Sequence, residues 1–362
     1  MSNPIHLWLR AESKPGEARR ALVPADAATL VEDGFSVTVE HSPQSALADQ
    51  EYQDAGCTMA AEGSWTEAPG DAYILGLKEL PDDASALVHR HIYFAHVYKE
   101  QRGWQDVLGR FRRGGGELLD LEYLVDDNGR RVAAFGFWAG FCGAALAMFT
   151  WCGQKRSQDP PIQAVVPWRN KDAMVADLGV AMRGTGIPQD QWPTVMIIGS
   201  AGRVGSGARA LAEIMSLSVT PWDLAETAPG GPFREILEHD VFVNCVRVNR
   251  PLPPFLTEDL VDDGGDRRLS VISDVSCDPY GDYNPVPLYN QCTTVSQPSI
   301  RIRTEPKPLD LIAIDHLPSL LPRESSEDYS AQLLPTLQRL SNPHDPVWRR
   351  ARDLFKHSCA RL

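Results

Sequence analysis

Lysine, glutamate and histidine side chains stand at the ends of strand-like apolar runs in the first third of the chain. Lys78 and Glu79 follow the run 72–77, His96 lies in 92–98, and Glu122 follows 118–121. Parallel sheets gather ligands at the carboxyl ends of their strands, so neighbouring strands would offer these groups along one rim. The set suits the oxidation of a secondary amine followed by hydrolysis of the imine. The amine must give up its proton before hydride can leave the adjacent carbon, and a lysine with a pKa lowered by burial and neighbours can take it. Water must then add to the imine and the carbinolamine must collapse, which a histidine near neutrality can assist. Arg19, and Arg131 after the Asp127-Asn128-Gly129 turn, could bind carboxylates in bidentate fashion, and the glutamates could hold a substrate ammonium.

A second cluster points to a dinucleotide. Gly199-Ser200-Ala201-Gly202-Arg203-Val204-Gly205 follows the apolar run 195–198 and opens the helical pattern 208–215. Glycines there let backbone N–H groups approach a pyrophosphate at the positive end of a helix. The spacing is GxxGxxG, a variant of the usual GxGxxG. Strand before and helix after give the motif its meaning. Asp223 ends the next strand-like run, close to the spacing of about 20 residues that a ribose-binding carboxylate takes. An acid there accepts the ribose hydroxyls and repels a 2′-phosphate, so the expected cofactor is NAD. Gly199, Gly202, Arg203, Val204, Gly205 and Asp223 are the expected cofactor residues.

Positioning these groups requires strands alternating with helices. Runs at 5–10, 35–40, 72–77, 92–98 and 117–124 read as strands, and 25–32 and 101–113 as helices. A second α/β unit begins near Thr194, with strands at 195–198, 217–222, 241–248, 270–275 and 309–314. The fold class is therefore α/β, with two Rossmann-like domains, parallel sheets and an interdomain cleft. Residues 1–133 plus 322–362 would form the substrate domain, and 134–321 the NAD domain. The amphipathic helix 347–359 and the apolar stretch 133–151 are both expected to pack on the first domain.

A chain of 362 residues has room for both cores. Its net charge of −13 argues against a nucleic-acid or anionic-membrane partner. No uninterrupted apolar run approaches the roughly 20 residues of a membrane span; the stretch 133–151 is broken by glycines and reads as a buried helix. There is no secretory signal pattern, and the seven cysteines form no CxxC pair. A cytoplasmic protein with reduced thiols, no metal, and a monomeric or small homo-oligomeric state is expected. Ala360-Arg361-Leu362 is similar to a peroxisomal address of the Ser-Lys-Leu kind.

With these residues in place, longer segments resemble one family. Leu9-Arg10-Ala11-Glu12 with Glu17-Ala18-Arg19, Gly76-Leu77-Lys78-Glu79, Phe94-Ala95-His96 with Tyr98-Lys99, Gly129 to Gly136, Gly230-Gly231-Pro232-Phe233 and Ile314 to Glu324 look like the NAD-dependent saccharopine dehydrogenases of fungal lysine biosynthesis. The resemblance runs in order from about residue 5 to the C-terminus; alanine dehydrogenase and transhydrogenase are wider relatives. It implies that saccharopine, NAD and water give lysine, 2-oxoglutarate and NADH. It implies Lys78 as base toward the secondary amine and His96 as acid–base group for imine hydrolysis. Glu79 and Glu122 match glutamates that tune these groups near the lysine portion. Arg19 and Arg131 match carboxylate-binding arginines, and Phe135 falls on the substrate side. Lys99 and Asp315 match a supporting charged pair, Lys99 on the substrate side and Asp315 on the cofactor side. Fungal members can carry a cysteine where Val204 stands, with a partner matching Cys245; Val204 cannot form that disulfide. Residues 150–167 and 276–303 match less well. Two other readings remain open: an opine-like or simple amino-acid dehydrogenase, and a catalytically silent NAD-binding regulator. Glu79 and Glu122 favour a substrate with a second cationic group, and intact Lys78, His96 and Arg19 argue against the silent form.

Overall fold

The computed structural model describes residues 4–246, 248, 251–263, 265, 267–279, 281 and 283–362. The chain divides into two compact units, Met1–Ala134 with Pro322–Leu362, and Phe135–Leu321.

Unit 1 is built on a parallel sheet of β1 (His6–Leu9), β2 (Ser36–Glu40), β3 (Thr58–Ala60), β4 (Tyr73–Leu75), β5 (Arg90–Tyr93) and β6 (Glu117–Asp120), in the order β3-β2-β1-β4-β5-β6. Between them run α1 (Pro24–Glu32), α2 (Asp49–Asp54) and α3 (Trp104–Gly114). Strand order reverses between β1 and β4, so the crevice where such sheets take ligands opens at the carboxyl ends of these two strands. Lys78 follows β4 at that point. The strand expected at 92–98 stops at Tyr93. His96 lies beyond it on irregular backbone with φ +54°, a left-handed conformation uncommon for a side chain with a Cβ. The strand expected at 117–124 likewise stops at Asp120, and Glu122 sits in a 3₁₀ turn, Leu121–Tyr123.

Unit 2 opens with α4 (Gly136–Lys155) and α5 (Lys171–Arg183). Its sheet contains β7 (Val195–Ile198), β8 (Val219–Trp222), β9 (Val241–Asn244), β10 (Val271–Asp274), β11 (Ile300–Arg303) and β12 (Leu309–Ile312), ordered β11-β12-β10-β9-β7-β8. All neighbours are parallel except β11, which runs antiparallel to β12 at the edge. α6 (Arg203–Ile214) follows β7, α7 (Leu224–Thr227) follows β8, and α8 (Glu258–Asp262) precedes β10. The run expected at 241–248 includes Arg247, which lies outside the described residues.

The helix expected from the stretch 133–151 is α4, which belongs to unit 2. α4 packs along α6 because glycines let their backbones meet: a Cβ at Gly140 would lie 1.8 Å from the Val204 carbonyl oxygen, and one at Gly207 1.8 Å from that of Phe137. α4 is long and apolar enough to span a bilayer, but 72% of its apolar window is buried inside the protein. The chain then returns to unit 1 with α9 (Pro322–Leu337) and α10 (Pro346–Cys359), the latter packed on β6 and α3.

Candidate functional site

Two buried acids organise the segment that carries Lys78. Glu12, just beyond β1, accepts the N–H groups of Leu77 at 2.6 Å and Lys78 at 2.8 Å. Arg10 pairs with Glu12 at 3.4 Å and donates to the Lys78 carbonyl. Gly76 makes room for this arrangement, since a Cβ there would lie 2.5 Å from the Arg10 guanidinium carbon. The Lys78 ammonium lies 3.9 Å from Glu17, whose carboxylate accepts Arg19 Nε at 2.7 Å and Nη2 at 2.6 Å. Burial pushes the Lys78 pKa down, the Arg19 charge adds to the effect, and Glu17 opposes it; the result is a lysine below its usual value. Burial raises Glu17, but the Arg19 bonds and the charges of Arg19 and Lys78 outweigh it and leave this acid lowered.

His96 Nδ1 is 2.6 Å from Glu79 Oε1, and its ring stacks on Phe94 at 6.5 Å between centroids. The bond to Glu79 raises the histidine above its ordinary pKa against the effect of burial. The same bond pulls Glu79 down to about 2. A raised histidine contributes stability below its ordinary pKa and loses it as pH rises through the folded value. A lowered carboxylate contributes above its ordinary pKa and loses it as pH falls through the folded value. The pair therefore stabilises most between the ordinary carboxylate and imidazole values, and modestly, because both side chains are nearly half exposed. Glu79→Gln should lower the His96 pKa, which an NMR titration of its ring protons measures; an unchanged midpoint would contradict the pairing.

Lys99 Nζ donates to Glu122 at 2.8 Å. Burial pushes Glu122 up, and the Lys99 bond, with the Lys99, Arg131 and His96 charges, brings it below its ordinary value. Arg131 is exposed on a short hairpin, bridged to Val125. Unit 1 thus brings Arg19, Lys78, Glu79, His96, Lys99, Glu122 and Arg131 onto segments that follow its strands. Phe135 and Asp315 belong to unit 2. Phe135 caps the start of α4, and Asp315 pairs with His316 at 2.5 Å. Glu12 and Glu17, which stand in the resembling segments without a role, and Asp120 are not among the expected site residues. The available signal was that each is an acid within a few residues of a strand end or of a proposed site residue.

In unit 2 the glycine turn joins β7 to α6. Gly199 has φ +84°, and a Cβ there would lie 2.8 Å from Val246. Gly205 lets the helix approach the turn, since its Cβ would fall 2.2 Å from the Gly199 carbonyl oxygen. Gly202 differs: its φ is −73° and the nearest atom to an added Cβ is 3.3 Å away. Neither backbone conformation nor protein packing strongly requires glycine there, which fits a position kept bare for a ligand's approach. Arg203 and Val204 are the first residues of α6, whose N-terminus carries the positive end of the helix dipole. Asp223 follows β8 as the N-cap of α7 and accepts the Ala201 N–H at 2.8 Å. These residues suit a dinucleotide.

Residues 8–142 match the alanine dehydrogenase/PNT N-terminal domain family. The chain is 46% identical over 365 residues to saccharopine dehydrogenase [NAD(+), L-lysine-forming] of Schizosaccharomyces pombe, covering 99% of each chain. The chain belongs to the NAD-dependent, L-lysine-forming saccharopine dehydrogenase family. The enzyme of the same name from Yarrowia lipolytica is 46% identical over the whole of both chains. Among solved structures, an L-alanine dehydrogenase matches the fold with a TM-score of 0.65 at 17% identity, covering 97% of this chain and 94% of that one.

Proposed function

We propose that this family member oxidises saccharopine with NAD and water to L-lysine and 2-oxoglutarate, reversibly. The observation that carries the reading is the pairing at the strand ends of unit 1: a lysine with a lowered pKa beside the Glu17–Arg19 pair, and a histidine bonded to Glu79. NAD, when bound, accepts the hydride. Gly199, Gly202, Arg203, Val204 and Gly205 would hold its pyrophosphate, Asp223 its adenosine ribose, and Asp315 would support it from the same unit.

Neutral Lys78 takes the proton of the secondary amine, so that the nitrogen lone pair forms the C=N bond as hydride leaves carbon. His96 deprotonates the water that adds to the imine carbon. It then returns that proton to nitrogen and takes the carbinolamine hydroxyl proton as the C–N bond breaks, which leaves a ketone on one fragment and an amine on the other. Glu79 and Glu122 hold the lysine ammonium, and Lys99 steadies Glu122. Arg19, Arg131 and Phe135 receive the 2-oxoglutarate portion.

NADH oxidation with 2-oxoglutarate and a panel of lysine, ornithine and alanine tests the substrate. Lysine should be much the best amine. A preference for ornithine or alanine would favour another opine-like or amino-acid dehydrogenase, and no turnover with any would favour a silent NAD-binding protein. NAD should be strongly preferred over NADP, and Asp223→Ala should weaken NAD binding and narrow that preference. Equal use of both cofactors by the native protein would remove Asp223 from the ribose.

A further inference from the structure

Asp120 closes β6 and is 1% exposed. Its two carboxylate oxygens reach different segments: Oδ2 accepts the N–H of Ala95 at 3.2 Å, and Oδ1 accepts that of Glu122 at 2.8 Å. Ala95 immediately precedes His96, where the backbone turns into the left-handed region. Glu122 is the acid that holds Lys99. We propose that Asp120 is a positioning residue that locks the His96 and Glu122 backbones to each other, so that imine hydrolysis depends on a carboxylate that touches no substrate. The inference rests on the assignment of His96 to that step.

The chemistry of the acid fits the task. A carboxylate has acceptors for both amides without supplying a competing donor, whereas an asparagine turned to serve one amide sets its NH₂ against the other. Left-handed backbone at a residue with a Cβ is strained and persists only where its surroundings hold it. The Ala95 bond is one such hold. The ionisable groups around Asp120 are His96, Glu122, Tyr93 of β5, Tyr98 and Tyr329 of α9. Burial raises Asp120 to about 6, against the Glu122 and Ala95 amide bonds that favour its ionised form.

A double-mutant cycle tests the proposal. Asp120→Asn should lower kcat/KM for saccharopine by about tenfold or more, leave NAD affinity unchanged and shift the pH profile. In a His96→Gln background the same change should cost less than about threefold, because the two residues act through one step. Asp120→Ser, which keeps one acceptor oxygen, repeats the measurement in a smaller side chain. Native kinetics in folded Asp120 variants, or an Asp120→Asn loss that multiplies in full in both backgrounds, would overturn the inference. A His96→Gln protein with a native rate would instead overturn the functional reading beneath it.

Discussion

Lys78→Met is expected to slow saccharopine oxidation by about two to four orders of magnitude, the range that a positioned general base contributes. NAD affinity should stay near native, because the glycine turn and Asp223 belong to unit 2. The thermal midpoint should change little. The Lys78 ammonium is 3.9 Å from Glu17, and the tighter bonds of that acid go to Arg19, so methionine removes the base without dismantling the pair that holds the segment. A Lys78→Met protein with native turnover would place the base elsewhere.

Arg19→Ala should produce the second large effect, of a different kind. Arg19 and Glu17 are both buried, at 4% and 3% side-chain exposure, and joined through two guanidinium nitrogens. Removing one partner of a buried pair costs up to about 3–5 kcal/mol, an upper figure here because Lys78 stays 3.9 Å from Glu17. In a unit of this size that corresponds to a fall in Tm on the order of 10 °C. The chemistry should shift too. The Arg19 charge depresses the Lys78 pKa, and without it Glu17 is left to stabilise the protonated lysine. The folded variant should therefore need a higher pH for the same rate. Arg131→Ala is the contrasting case: exposed on its hairpin, it should raise the KM for 2-oxoglutarate well over tenfold without a comparable loss of stability. If Arg19→Ala keeps both its melting temperature and its pH profile, the buried pair has no part in setting Lys78.

The fold was legible where elements repeat a simple pattern. The apolar run at β7 and the period of two at β1 located strands to within a residue or two, and α10 announced itself by amphipathic spacing. β11 escaped notice although Ile300-Arg301-Ile302-Arg303 alternates, because an edge strand carries charges that resemble those of a loop. α9 was missed because Pro335 lies inside it and its polar residues face buried partners: Ser326 and Ser330 accept the Arg20 and Val23 N–H groups. The glycine-broken apolar stretch marks α4 as a helix, and the expected boundary at residue 134 puts it with the second unit; its packing partner is what the sequence does not show. Only the close approach to α6 through Gly140 and Gly207 reveals its place, and the sequence does not say which surface a small-residue face will meet. The site divides in the same way. Residue type and position relative to strand ends pointed to Lys78, Glu79, His96 and Glu122. Glu12 reaches Lys78 across 66 positions and Asp120 reaches Ala95 across 25, through bonds that no local pattern encodes, while Glu17 and the second Asp120 bond act only two residues away.

The most direct measurement of the central claim is kcat/KM for saccharopine as a function of pH, for the native protein and for Lys78→Met. The reading requires neutral Lys78, so the native rate should fall as pH drops through the lowered lysine pKa, and Lys78→Met should lack that limb. A variant that retains the limb at the native midpoint would contradict the assignment of Lys78 as the base.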